Sequence, residues 1–381
     1  MKRNLFSLLI LTLVFSCAEK GGVNDKQVTN LDDFRTYAID VESKATPVFD
    51  LIEEVEVMRL EETEESLLGD VYKLDALEGE YVITYPRTGD NHFFDRNGKF
   101  LRAFNNSGGG PKEYNLVLNS WIENDDLSIF DSQSMRVHKY TKFGNWIESK
   151  RIPYSAFSLA YYDSKYFLDV SRNPVEDDFH AVAVLNTKME LIETTVPFND
   201  RKAISLSWGV DNFKPYKDGL VYNDVINDTV YVYENDLFRP LLSVDFRDKW
   251  IWSDRAVYSD FQKAQSMMQR NDVVYSFGSF VGERYVYVQH ILNSRILNYL
   301  IDRETGEVQK IKSVRNGADK NLLIPIRWEG DRLLFSMRST AVKEFLTELE
   351  EGQKEFREGT TLEEIESSEN PVLMWVKFKE E

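Results

Sequence analysis

The sequence is poor in the residues that build cysteine- and histidine-based sites. Its 381 residues include one cysteine, Cys17, and four histidines. A single cysteine cannot form an intramolecular disulfide, so the stability of the fold must come from buried apolar side chains. The histidines are not paired at helical spacing and no cysteine accompanies them, a pattern that excludes a structural zinc site: His92, His138, His180 and His290.

Positive charge is also scarce. The chain has 46 Lys and Arg against 64 Asp and Glu, which gives a formal net charge of −18. Nucleic acids and anionic lipid surfaces are bound by clustered lysines and arginines, so this balance argues against both as partners. We interpret the acidity as a contribution to solubility.

Sequence motifs of common enzymes are missing as well. The glycine-rich stretch Gly108–Pro111 is not followed by Gly-Lys-Ser/Thr, so it predicts a connection between strands and not a phosphate-binding loop. No Gly-x-Ser-x-Gly sequence marks a nucleophilic serine. The sequence therefore contains no recognisable catalytic motif.

The first 16 residues have the three parts of an export signal. Lys2 and Arg3 are positive, the stretch Leu5–Phe15 is mostly apolar, and the small residue Ser16 stands at the cleavage position. The apolar stretch is too short for a membrane-spanning helix, which needs roughly twenty residues.

The residues around the cleavage position add a second signal. Val14-Phe15-Ser16-Cys17 resembles the lipobox of bacterial lipoproteins, and this resemblance implies that Cys17 is lipidated. Several acyl chains together provide stable anchoring to a membrane. The alternative is ordinary signal cleavage beside a chance cysteine. We predict a signal peptide at 1–16, a flexible polar tether at 17–33 and one domain at 34–381.

The body of the chain has the pattern of a repeated β-sheet unit. Short runs rich in Val, Ile, Tyr, Phe and Thr alternate with polar residues and are separated by Gly, Asn and Asp turns. Further short strands precede each hairpin, so a unit contains four strands, as a propeller blade does. The hairpin turns lie roughly 45 to 70 residues apart within five segments: Phe93–Leu101, Val137–Ile147, Val182–Val196, Val230–Val244 and Leu297–Ile311.

A sixth blade needs both ends of the chain. Three strands are predicted near the C-terminus, and the alternating segment Val55–Leu60 has no partner nearby, so we predict that it supplies the fourth strand. Closure is expected because an open blade exposes an edge and an unpaired face. The fold prediction is an all-β, six-bladed β-propeller with four-stranded blades, closed by an N-terminal strand and carrying two short helical insertions, at Trp250–Arg270 and Val342–Glu358.

Four segments, in the order expected, resemble the six-bladed β-propeller lipoproteins of Bacteroidota, a family related to NHL-type propellers. The segments are Phe94–Leu101, Gly109–Tyr114, Asn227–Tyr231 and Glu369–Leu373. The resemblance covers nearly the whole mature chain and implies a propeller fold and a location in the cell envelope, on the periplasmic face or the surface of the outer membrane. It implies no reaction and no catalytic residues. Asp228-Thr229-Val230 also matches the O-glycosylation pattern of Bacteroidota, but a match of three residues does not decide whether Thr229 is modified.

Candidate site residues are of two kinds. Six residues near predicted strand ends and loops are candidates for binding a glycan or a peptide: Glu113, Tyr114, Trp121, Trp208, Trp252 and Trp328. Comparison with the gluconolactonase-like propellers, which hold a divalent metal in the channel, implies weaker candidates for oxygen ligands, suited to calcium: Asp75, Asn119, Glu123, Asp211 and Asn212.

Three functional hypotheses follow. The first is a lipid-anchored, extracytoplasmic binding module without a resident cofactor, whose partner is a glycan, a peptide or an envelope protein. The second is a metal-dependent hydrolase or lactonase that acts in the propeller channel. The third is a structural role in an envelope complex.

The lipidation hypothesis makes the first testable prediction. Cys17→Ser removes the acceptor sulfur and should move the protein from the membrane fraction to the soluble fraction, with loss of metabolic labelling by a fatty acid. Ser16→Ala, which keeps a small residue before the cysteine, is the matched control and should stay in the membrane fraction. Membrane retention of the Cys17→Ser variant would contradict the prediction.

Overall fold

The computed structural model describes residues 34–86, 88–170, 173–177, 179–197, 211–224 and 226–380. Cys17, the predicted signal and the predicted tether lie outside these residues. Six sheets of four or five strands form a ring, which is a six-bladed β-propeller. The predicted fold class is confirmed.

The described chain begins with three strands that belong to the last three blades: β1 (Arg35–Ala38), β2 (Thr46–Pro47) and β3 (Ile52–Arg59). Blade 1 follows, with β4 (Asp75–Leu77), β5 (Glu80–Thr84), β6 (Asn91–Asp95) and β7 (Phe100–Phe104). Blade 2 contains β8 (Val117–Glu123), β9 (Asp126–Asp131), β10 (Arg136–Thr141) and β11 (Trp146–Arg151). Blade 3 contains β12 (Ser158–Tyr162), β13 (Lys165–Asp169), β14 (His180–Asn186) and β15 (Leu191–Pro197).

Blade 4 contains β16 (Phe213–Tyr216), β17 (Gly219–Asn223), β18 (Thr229–Glu234) and β19 (Leu237–Asp245). Blade 5 contains β20 (Phe277–Val281), β21 (Tyr285–Leu292), β22 (Arg295–Asp302) and β23 (Val308–Lys312). Blade 6 contains β24 (Ile324–Glu329), β25 (Arg332–Met337), β26 (Lys354–Phe356) and β27 (Val372–Phe378), together with β3.

The apolar core is divided among the interfaces between neighbouring blades. Six clusters of buried residues lie between blades 1 and 2, 2 and 3, 3 and 4, 4 and 5, 5 and 6, and 6 and 1. Alternation within a strand explains this division: Tyr81 and Ile83 of β5 pack towards blade 6, whereas Val82 packs towards blade 2.

The ring closes as the sequence predicts. Strand β3 pairs antiparallel with β27, and Val57 lies opposite Met374. Gly98, in the turn between β6 and β7, has φ +83° and accepts a hydrogen bond from the Glu61 amide at 2.8 Å. A Cβ at this glycine would lie 1.9 Å from the Arg59 carbonyl oxygen, so only glycine allows blade 1 to approach the closing strand this closely.

Blades 4, 5 and 6 differ from the predicted four strands, because each has a fifth, parallel strand on its outer edge. Strand β1 pairs with β19, β2 pairs with β23, and β26 pairs with β3. These added strands are short and make no hairpin, so they lack the sequence signals by which the other strands are recognised.

Both predicted insertions contain helices, but the second prediction was wrong in its extent. Helices α1 (Arg255–Tyr258) and α2 (Phe261–Met268) lie within the first insertion, and α3 (Ser339–Thr347) and α4 (Leu362–Glu366) lie within blade 6. The α-helix ends at Thr347, a short 3-10 turn follows at Glu351–Gln353, and Phe356 pairs with Val57 in a strand. Pairing along the closing strand outweighs the helical pattern of this charged segment. None of the helices in the described ranges is long and apolar enough to cross a membrane.

Closure by β3 makes a second testable prediction. Val57 is fully buried between β27 and β26, so Val57→Asp places an unpaired charge in the closing blade. The free energy of unfolding should fall by about 3 kcal/mol or more. Ile192→Asp introduces the same charge on the outer strand of blade 3, where Ile192 is 49% exposed, and should change stability by less than about 1 kcal/mol. Chemical denaturation measures both variants, and similar losses would argue against closure by β3.

Candidate functional site at one mouth of the channel

The innermost strands of the six blades line the central channel. They are the first strands of their blades, β4, β8, β12, β16, β20 and β24, and they approach one another across the axis. Because every blade is built in the same order from the channel outwards, these strands run in one direction. The residues at their N-terminal ends therefore share one opening, which we call the N-terminal mouth, and those at their C-terminal ends share the other.

A lysine that precedes β4 lies at the N-terminal mouth. The Lys73 ammonium donates hydrogen bonds to the Asn119 side-chain oxygen and, at 2.5 Å, to the Ser120 carbonyl oxygen. It lies 3.7 Å from the Asp211 carboxylate. The Asn119 amide in turn donates to Asp211 Oδ1 at 3.1 Å and to the Leu159 carbonyl at 2.7 Å. This network connects blades 1, 2 and 3 to the segment that enters blade 4.

Two further groups extend this network. Asp75 accepts a hydrogen bond from the Ser120 hydroxyl at 2.9 Å. The Lys214 ammonium donates to the Asp211 carbonyl at 2.9 Å and lies 5.0 Å from the centre of the Phe280 ring. Burial lowers the pKa of Lys214, the Asp211 carboxylate partly opposes this shift, and the Lys73 charge reinforces it. We call the whole set the channel cluster: Lys73, Asp75, Asn119, Ser120, Asp211 and Lys214.

The channel cluster remains in contact with solvent. The side chains of Lys73 and Asp211 are 25% and 34% exposed, so a ligand entering the mouth can reach their charges. Two exposed aromatic residues precede the inner strands of blades 1 and 3. Tyr72 is 64% exposed and lies three residues before β4, and Phe157 is 37% exposed and adjoins β12. Their sequence positions place both aromatic residues near the end of the ring at which the inner strands begin.

The structure brings together three of the five predicted metal ligands, Asp75, Asn119 and Asp211. Glu123 lies at the other end of β8, 3.7 Å from the Lys139 ammonium, and Asn212 is buried and donates to the Asp169 carboxylate at 2.5 Å. The five predicted ligands therefore do not converge on one point.

The three that converge do not fit a calcium ion. The Lys73 ammonium already lies against the oxygens of Asn119 and Asp211, so a metal would have to displace a positive charge to reach them. Across the described part of the chain, no group of three His, Cys, Asp or Glu side chains is arranged to hold a metal ion.

The predicted residues of the glycine-rich loop have internal partners. Glu113 accepts a hydrogen bond from the Gly110 amide at 2.7 Å. Tyr114 is fully buried, its hydroxyl donates to the Gly89 carbonyl at 2.7 Å, and it accepts from the Asn106 amide at 2.8 Å. The loop is an inter-blade connection, and Tyr114 belongs to its structural framework and not to an accessible site.

The predicted tryptophans are packing residues where the structure describes them. Trp121 is buried and stacks on Tyr161, and Trp252 is buried and donates to the Tyr275 carbonyl at 2.6 Å. Trp328 is partly buried and donates to the Phe280 carbonyl at 2.9 Å. Trp208 lies outside the described residues.

Sequence reasoning missed Lys73, Lys214, Tyr72 and Phe157. A lysine beside a predicted strand reads as a solvated charge, and only the closed ring shows that Lys73 and Lys214 point to one place. An alignment of the blades would have indicated them, because Lys73 lies just before the inner strand of blade 1 and Lys214 lies within the inner strand of blade 4.

Comparisons with known proteins support the family and the fold. The model of a family described as a domain of unknown function, DUF4934, matches residues 36–377. None of the curated proteins compared with the chain matches it. Solved structures share the fold at low sequence identity.

One such structure is of a protein from Bacteroides fragilis NCTC 9343 whose description suggests that it is exported. It has a TM-score of 0.69 and 14% identity, over 91% of this chain and 99% of that one. A member of the DUF4221 family from Bacteroides vulgatus ATCC 8482 has a TM-score of 0.50 and 13% identity, over 86% of this chain and 97% of that one. At these identities the similarity shows the fold alone.

The position of Lys73 makes a third testable prediction. Lys73→Ala leaves the oxygens of Asn119 and Asp211 without their positive partner, so the free energy of unfolding should fall by about 1–3 kcal/mol. Lys343→Ala removes an exposed ion pair with Glu366 and should change stability by less than about 1 kcal/mol. Calcium should not raise the melting temperature of the unaltered protein. A clear calcium-dependent increase would overturn the conclusion that these oxygens do not fit a metal.

Proposed function

We propose that this chain, which belongs to the DUF4934 family, is a lipid-anchored extracytoplasmic binding module that captures a glycan at the N-terminal mouth of its propeller channel. The family description assigns no activity, so the proposal depends on the geometry of the mouth. A propeller is suited to this role because its rigid strands hold side chains from several blades around one opening.

The channel cluster is the observation that carries the proposal. It offers the partly exposed charges of Lys73, from blade 1, and Asp211, from the segment that enters blade 4. The buried amide of Asn119 joins them from blade 2. Sugar hydroxyls both donate and accept hydrogen bonds, so they can pair with the Asp211 carboxylate and with the Lys73 ammonium. The exposed rings of Tyr72 and Phe157 add apolar surfaces on which the C–H faces of a sugar ring can stack.

The hydrolase or lactonase alternative has less support. It was predicted to use a metal held by channel oxygens, and Lys73 occupies the place between two of them. No other observation on the described residues favours a reaction over binding. A purely structural role in an envelope complex is the further alternative, and it predicts no affinity for glycans.

The proposed location follows from the N-terminal sequence. The export signal and the lipobox-like residues before Cys17 support a lipid anchor. We also propose, from the sequence resemblance, that the chain is related to the lipoprotein propellers of Bacteroidota and to NHL-type propellers. Strand β1 lies on the outer edge of blade 4. An anchor attached before β1 would therefore join the ring at its periphery and would not thread the channel.

Glycan binding is the fourth testable prediction. The purified protein should retain glycans on an array, and Tyr72→Ala should weaken the affinity by about tenfold because a stacking surface is lost. Asp211→Asn should weaken it to a similar extent because an acceptor carboxylate becomes a neutral amide.

Phe261→Ala provides the matched control. Phe261 is 52% exposed on helix α2, in the connection between blades 4 and 5, and it is not part of the channel cluster, so its removal should leave binding unchanged. Circular dichroism checks that each variant is folded. An array without any retained glycan, or equal losses in the Tyr72 and Phe261 variants, would contradict the proposal.

A further inference from the structure

The outer edges of the six blades are not equivalent. On blades 4, 5 and 6 the outer edge carries a fifth strand that comes from elsewhere in the same chain, and all three of these strands are parallel to their neighbours. Within the described residues, blades 1, 2 and 3 have four strands and no strand pairs with the outer edges of β7, β11 or β15. Unpaired edges of this kind can accept an extended segment from another protein.

The edge of blade 2 lies in a basic region of an acidic protein. Residues 99–113 and 136–151 contain eight Lys and Arg and two Glu in a chain of net charge −18. Four of the eight lie within 3.7 Å of a carboxylate, and Lys112 and Arg151 are not among these four: Arg102, Lys139, Lys142 and Lys150. Strand β11 itself contains Lys150 and the exposed Arg151, and the Lys112 ammonium lies close beside it, 4.7 Å from the centre of the Trp146 ring. This local excess of positive charge complements an acidic partner.

Exposed aromatic side chains accompany these charges. Phe143, in the turn before β11, is 64% exposed, and Trp146 is 38% exposed. One face of each ring is covered by a cation: the Arg102 guanidinium lies 5.0 Å from the Phe143 ring centre, and Lys112 lies over Trp146. The cations occupy ring faces on which a sugar would stack, so the geometry favours a peptide over a glycan here.

The other two open edges lack this character. The only basic residue of β7 is Arg102, and its charge is paired with the Glu80 carboxylate at 2.5 Å. Strand β15 contains an acidic residue and no basic one, and it ends at Pro197, which has no backbone N–H to donate. Charge complementarity therefore singles out β11.

We propose that the open edge of β11 is a docking site for an acidic, extended segment of a partner protein, which adds to blade 2 as a fifth strand. Backbone hydrogen bonds to β11 supply the pairing, and Lys112 and Arg151 attract the acidic side chains, whereas Lys150 is already paired with Glu148 at 3.0 Å. This surface is distinct from the N-terminal mouth, so the proposal does not depend on glycan binding.

Peptide binding to this edge is the fifth testable prediction. The probe is a synthetic peptide of alternating glutamate and valine as long as β11. Fluorescence polarisation measures its binding to the purified protein. The unaltered protein should bind the peptide, and Arg151→Glu should weaken the affinity by about tenfold. Lys188→Glu makes the same charge change at an exposed turn of blade 3 and should leave the affinity unchanged.

A second peptide separates strand addition from simple charge attraction. N-methylation of alternate amides keeps the charges but removes donors along one edge, and this peptide should lose most of the binding. Equal binding of the two peptides, equal effects of the two substitutions, or no binding by the unaltered protein would overturn the proposal. Binding of a sulfated polysaccharide without binding of the peptide would overturn it as well, because the surface would then recognise anionic polymers and not strands.

Discussion

Everything in this structure depends on sheets that are apolar on both faces. Tyr81 and Ile83 of blade 1 pack against blade 6, and Val82 between them packs against blade 2. A sheet with two such faces is buried only when it has a neighbour on each side. No blade can therefore be the last in a row, and the row must close into a ring. The six separate core clusters are the direct consequence of this constraint.

The same constraint decides where polar chemistry can lie. Blade faces are committed to packing, so charged and amide side chains collect at the two ends of the channel and at the outer edges. At the N-terminal mouth this places Lys73 and Asp211 within 3.7 Å of one another, although they are far apart in the sequence. A lysine in the midst of carboxylate and amide oxygens supplies the positive charge that a metal would otherwise supply. The Lys73 charge thereby stabilises the mouth, where the Lys73 and Asp211 side chains remain partly exposed.

The parts of the fold that the sequence predicts are those in which periodicity and burial agree. Alternation identifies β3 although its partner β27 lies at the other end of the chain, because an alternating strand without a local partner must find a distant one. Strands β1, β2 and β26 escape prediction, since a parallel strand of two to four residues leaves no turn and little alternation. The same distinction applies to the site. Asp75, Asn119 and Asp211 can be predicted as candidates because their side chains carry oxygens, whereas the role of Lys73 and Lys214 becomes visible only in the closed ring. The tryptophans mislead because an indole that packs in the core and one that binds a ligand have the same sequence signal.

The closing blade is more than a simple pairing of the two chain ends. In most propeller arrangements a closing strand would itself be an edge, but here β3 is flanked by β27 on one side and β26 on the other. Further contacts hold it from outside: the Arg357 amide donates to the Val57 carbonyl at 2.9 Å, and the Arg357 side chain pairs with the Glu56 carboxylate at 2.7 Å while it covers the Trp375 ring. Opening the ring therefore requires the loss of two ladders and a partly buried cation–aromatic contact together. Because the segment before β3 also lies along the outer edges of blades 4 and 5, a pull at the N-terminus acts first on these peripheral strands and not on the closure itself.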